Sequence, residues 1–85
     1  MDNDAEAIKK MHEEQGRERI GKLRKKLNIT KYNMEVSSEI LAETPSDAQK
    51  EKLAQKNIRR QHGIAGIEKE IQDIEQALEE SEQEK

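Results

Sequence analysis

Lys56-Asn57-Ile58-Arg59-Arg60 concentrates the polar chemistry of this chain: an ammonium, a carboxamide and two guanidinium groups within five residues. On a helix such a cluster could bind phosphate through its cations. It could instead enter a helix–helix seam and set its register, as a buried amide does in a coiled coil. The spacing bears on the choice. Leu53, Ile64, Ile67, Ile71, Ile74 and Leu78 keep helical time, and the same steps of 3 and 4 carried through the gap land on Asn57 and Arg60. Burying an amide or a guanidinium without partners costs free energy. The apolar stripe is therefore expected to slide sideways near Asn57, onto Ala54, Ile58 and Ala65.

Other chemistry finds little footing. The histidines, His12 and His62, fall on different arms, and His12-Glu13-Glu14 lacks the second histidine of a zinc-protease helix. There are no cysteines, which excludes disulfides, iron–sulfur clusters and thiolate zinc sites. No phosphate-binding loop, dinucleotide fingerprint or nucleophile elbow occurs. No catalytic, cofactor-binding or metal-ligating residues are expected, and no enzyme activity. The acidic, polar start Met1-Asp2-Asn3-Asp4 does not read as a secretory signal. No apolar run approaches the ~20 residues of a membrane span. A soluble intracellular protein with no membrane partner is the expectation.

Charge is abundant but sorted. Of 85 residues, 41% are charged and 31% apolar, with a net charge of −3. Residues 17–31 form a basic run led by Arg17, Arg19 and Lys22, residues 50–60 a second one, and residues 68–85 are acidic. Nucleic-acid binding through the basic runs is disfavoured. A pI of about 5.5, a single aromatic residue (Tyr32) and the lack of a known nucleic-acid motif all speak against it. Solvated helix faces, partly screened by the acidic arm, are the simpler reading.

These residues must be positioned by helices. Ile20, Leu23, Leu27, Thr30, Met34, Ser37 and Leu41 step by 3 and 4, with Thr30 and Ser37 as small polar interruptions. Ile29, Val36 and Ile40 lie off this stripe and could widen it. The only proline, Pro45, marks the break: Thr44 suits an N-cap and Pro45 a first helical position. The pattern predicts an all-α fold, two long helices in an antiparallel hairpin with a hinge near residues 43–46. Residues 16–80 form the hairpin, residues 1–15 are expected to be weakly ordered, and residues 81–85 make an acidic tail, so both termini fray. Folding about the hinge would set Leu27 against Ile64, Leu23 against Ile67, Ile20 against Ile71 and Leu41 against Ala48. Gly63 and Gly66 would then lie opposite Leu27 and Leu23, where they either admit close approach or weaken the helix. Two hairpins could dimerise into a four-helix bundle, because two helices cover each other on one side only.

Lys22-Leu23, Asn33, Glu35, Glu39, Ala42, Thr44, Leu53, Lys56-Asn57 and Arg59-Arg60, followed by Ile64, Glu70-Ile71 and Asp73, form an ordered pattern. It resembles the Tlp-type small acid-soluble spore proteins of endospore-forming bacteria over about residues 17–75. Arg17-Glu18-Arg19, Ile74 and the acidic ending depart from the family pattern and mark a divergent member. The resemblance implies a non-enzymatic protein of the spore core (the forespore cytoplasm), stored there and degraded on germination, in a storage or structural role. It brings no catalytic or ligand residues and no cofactor. Asn57, Arg59, Arg60, Lys56, Asn33 and Glu35 are the matched positions expected at an interaction or a seam. In a seam, Asn57 would set register and the arginines would bridge carboxylates such as Glu35 or Glu39. Two readings stand beside this one. The first is a helical protein-interaction or self-association module, adaptor or inhibitor, unrelated to spores, with a homodimer or an unidentified protein as partner. The second, with less support, is a nucleic-acid-binding protein.

Overall fold

The computed structural model describes residues 2–83; Met1 and residues 84–85 of the acidic tail lie outside them. The chain forms two helices, α1 (Asp2–Glu43) and α2 (Asp47–Gln83), with no strand among the described residues. They pack antiparallel into a rod of 67 × 15 × 14 Å. The long dimension follows from α1 alone, since its 42 residues at ~1.5 Å rise span about 63 Å. The radius of gyration is 19.3 Å, against ~12 Å for a compact domain of this length.

The two helices separate at Thr44–Ser46. Thr44 does not cap α2 as the sequence suggests. Its hydroxyl donates to the Ile40 carbonyl at 2.6 Å, and its N–H to the Leu41 carbonyl at 3.4 Å, so it closes α1. Ser46 caps α2 instead. Its carbonyl accepts from the Lys50 N–H at 3.0 Å and its Oγ from the Gln49 N–H at 3.5 Å. Ser46-x-x-Gln49 is the spacing of a capping box, and Pro45 just before it lacks an N–H that would need a partner.

The seam of α1 is the predicted one. Ile20, Leu23, Leu27, Thr30, Met34, Ser37 and Leu41 are all half-buried or buried, and the same steps extend it to Gly16 and Glu13. Of the three residues expected to widen it, Val36 is half-buried while Ile29 and Ile40 are exposed. On α2 the seam runs through Leu53, Asn57, Arg60, Ile64, Ile67, Ile71, Ile74, Leu78 and Ser81 without interruption. The expected sideways slide does not occur: Ala54 is half-buried, but Ile58 and Ala65 are exposed. Rotating the helix to rescue two polar side chains would have exposed the isoleucines that follow, and Asn57 and Arg60 find partners where they are.

The register also differs, by about one helical turn. A Cβ on Gly16 would stand 3.2 Å from Leu78 Cδ2, and Ser81 Oγ donates to Glu13 Oε1 at 2.9 Å. Continuing inward, Ile20 pairs with Ile74, Leu23 with Ile71, Leu27 with Ile67 and Thr30 with Ile64. The hinge midpoint is not the mirror, because residues 45–52 are all exposed and the first turn of α2 is spent crossing over. The matching of side-chain layers sets the register instead. Ile67 and Ile71, at 9% and 8% exposure, are the centre of what core there is, and no described side chain is fully enclosed.

Among the glycines, the close approach is at Gly16. Gly63 and Gly66, expected to face leucines, have open space where a side chain would be, as does Gly21.

Candidate functional site

The polar cluster of α2 is divided by helical spacing. Asn57 and Arg60, three residues apart, turn into the seam and are half-buried. Lys56 and Arg59, also three apart, are exposed, as are Asn33 and Glu35 on α1. The six matched positions therefore do not form one site.

The inward pair builds a hydrogen-bonded layer with α1. The Arg60 guanidinium donates through Nη1 to Ser37 Oγ at 2.7 Å and to Asn57 Oδ1 at 3.0 Å. Asn57 Nδ2 donates to Ser38 Oγ at 3.4 Å. Ser37, at 7% exposure, is the one buried polar residue among the described residues. No buried side-chain nitrogen or oxygen among them lacks a partner. A hydrogen bond to a charged group contributes ~1.5–3 kcal/mol, which offsets the cost of drawing the guanidinium into the seam. Its remaining N–H groups stay within reach of water, because Arg60 is only half-buried and its long stem lets the head lean outward.

The expected arginine–carboxylate bridges to Glu35 or Glu39 are replaced by these neutral oxygens. Ser37 and Ser38, which sequence reasoning treated as an interruption and passed over, are the partners. The signal was present: Ser37 occupies a seam position, and a small hydroxyl there leaves room for a long side chain opposite. Thr30, the other polar interruption, satisfies itself by donating to the Lys26 carbonyl at 2.9 Å.

Outside the seam, two ion pairs tie the basic run of α1 to the acidic part of α2: Arg19 to Glu70 and Arg24 to Glu75. Both are largely exposed. Arg19–Glu70 lies beside a groove lined by His12, Gly16, Ile74, Ala77 and Leu78. His12 has no metal-binding company there. Among the described residues no three His, Asp or Glu side chains gather to hold an ion, and no helix is long and apolar enough to cross a membrane.

The layer thus does structural chemistry: it satisfies polar groups between the helices. The model of the family described as small, acid-soluble spore protein Tlp matches residues 11–81. The chain belongs to the Tlp family of small, acid-soluble spore proteins. The match extends beyond residues 17–75, reaching from Met11 through Ser81 and so into the acidic ending. It spans the seam from Glu13 to Ser81, including the Ser37–Asn57–Arg60 layer of this Tlp-family chain. No curated protein and no solved structure matches the chain.

Proposed function

We propose that this Tlp-family chain is a non-enzymatic storage or structural protein of the spore core that is degraded on germination. Family membership supports the spore, and the thinness of the fold supports the fate. The observation that carries it is the burial: among the described residues three are buried, Ser37, Ile67 and Ile71, along a 67 Å rod. Helices held by so little open often, and transiently opened chain is what proteases cut. A protein meant to be kept and then rapidly consumed gains from that.

The test is quantitative mass spectrometry of this protein in dormant spores, germinated spores and growing cells of its source. Strong enrichment in dormant spores and loss on germination are expected. Equal abundance in growing cells would overturn the reading, and persistence after germination would overturn the storage part of it.

A further inference from the structure

Ile29, Tyr32, Val36 and Ile40 form a second apolar stripe on α1, outside the seam, at steps of 3, 4 and 4. Ile29 is 53%, Tyr32 65% and Ile40 49% exposed. Tyr32 is the chain's only aromatic residue. The Arg19–Glu70 pair shows which flank of α2 lies beside it. Three heptads on from Arg19 is Ile40, and one heptad back from Glu70 is Gly63, so both belong to this flank. Along it, α2 presents Lys52, Lys56, Arg59, Gly63, Gly66, Glu70, Asp73, Ala77 and Glu80, at alternating steps of 4 and 3. The order is cationic, then bare, then anionic. Inverted about the two glycines, the series complements itself: Arg59 faces Glu70 and Lys56 faces Asp73.

We propose that this flank docks a second copy of the chain in antiparallel orientation, making a four-helix bundle with the two α2 helices crossing at Gly63 and Gly66. Both glycines have open space at the Cβ position, so a helix can approach closely there. A parallel arrangement would set like charges against each other; only the inverted one pairs them. A C2 interface needs this kind of self-complementary patch. The rod shape leaves surface to cover. The chain exposes 6962 Å², where a compact monomer of 9.8 kDa exposes ~5,200 Å². Covering about half of that surplus on this flank would match the ~800 Å² per partner of a standard interface. This inference does not depend on the spore-storage reading.

The test is sedimentation equilibrium of the full chain over a wide concentration range, with circular dichroism to check helicity. The wild type is expected to dimerise, more weakly at high salt. Ile29→Glu, which puts a charge at the end of the stripe level with Gly63 and Gly66, is expected to raise the dimer Kd at least about tenfold. Ile58→Glu, equally exposed but on the Arg24–Glu75 side, is expected to leave it unchanged. Lys56→Glu and Asp73→Lys should each weaken the dimer, and the two together should restore it. A wild type that stays monomeric at every concentration overturns the proposal. So does an Ile29→Glu chain that associates as tightly as wild type. A charge-swapped double variant no tighter than either single one overturns the antiparallel arrangement.

Discussion

The two halves of the hairpin share one backbone geometry and differ in what fills the seam. Toward the chain termini, Gly16, Ile20, Leu23 and Leu27 meet Ile67, Ile71, Ile74 and Leu78. Toward the connection, Met34 and Ser37 meet Asn57 and Arg60, and only Leu41 and Leu53 restore an apolar layer. Apolar layers supply most of the stabilisation and tolerate sliding, because one leucine–isoleucine layer resembles the next. A hydrogen-bonded layer supplies little net stability but has one alignment in which its groups are satisfied. The two halves are therefore expected to separate holding from aligning, so that each can be broken alone.

The largest effect should come from the apolar half. Ile71→Ala is expected to cost ~2–4 kcal/mol, enough to melt much of a chain with so small a core. Leu53→Ala, in a half-buried layer beside the connection, should cost about half as much. Urea denaturation followed by circular dichroism, at one low protein concentration, compares them. Equal losses would mean that stability is spread evenly and the contrast between halves is wrong.

The polar layer should respond with the opposite sign when both its α2 members are replaced. Asn57→Leu with Arg60→Leu is expected to raise stability by ~1 kcal/mol, because apolar groups replace a partly desolvated cation and its amide acceptor, and the Ser37 hydroxyl left behind can donate to a carbonyl of its own helix. Read from the sequence, Asn57→Leu alone tightens the seam. With Arg60 donating to Asn57 Oδ1, the single change takes an acceptor from a half-buried cation and is expected to lose ~1 kcal/mol instead. The gain of the double variant should come with loss of alignment. The chain has no cysteine, so Gly16→Cys with Leu78→Cys reports register by disulfide formation. Cross-linking should be faster and more complete with the native layer than with the leucine pair. Equal rates would remove the aligning role.

This contrast was half legible in the sequence. The α1 stripe from Ile20 to Leu41 and the break around Pro45 follow from spacing and backbone chemistry, which are local. The α2 stripe was legible too, but the polar gap invited a detour onto Ile58 and Ala65, because a residue's type was weighed without its partner. Arg60 is tolerable in the seam only because Ser37 is 23 positions away in the chain and adjacent in space. Register was illegible for the same reason. It depends on which layer meets which across the hairpin, and the hinge position alone leaves a turn of freedom. The N-cap was a local signal read two residues early: Ser46-x-x-Gln49 outweighs Thr44-Pro45.

Glycine offers a finer comparison within the apolar half. Gly21 faces open space, so Gly21→Ala should gain up to ~1 kcal/mol from helix propensity alone. At Gly16 the new methyl would meet Leu78 Cδ2 at 3.2 Å and Ile74 Cγ2 at 3.5 Å. Leu78 must rotate away, and the propensity gain is offset by lost packing, so Gly16→Ala should change stability little. Thermal melts of the two variants decide it. A full gain at Gly16 would show that Leu78 yields freely and that the terminal end of the seam is loosely packed.

The smallest effect is expected where the drawn contacts look strongest. Arg19–Glu70 and Arg24–Glu75 cross between the helices on opposite flanks of the apolar half. Their side chains are exposed, however: 64% and 39% in the first pair, 61% and 47% in the second. Water screens such charges, and holding two long side chains in one geometry costs entropy. Exposed pairs of this kind are worth ~0.2–1 kcal/mol. A double-mutant cycle, Arg24→Ala against Glu75→Ala, should therefore give a coupling below about 1 kcal/mol that fades as salt is added. Arg19–Glu70 should couple no more strongly within the chain, although Glu70 also lies on the proposed dimer face and its cycle must be run at monomeric concentration. A salt-resistant coupling above ~2 kcal/mol would move the holding role from the Leu–Ile layers to the flanks, and the contrast between the two halves would then concern charge rather than burial.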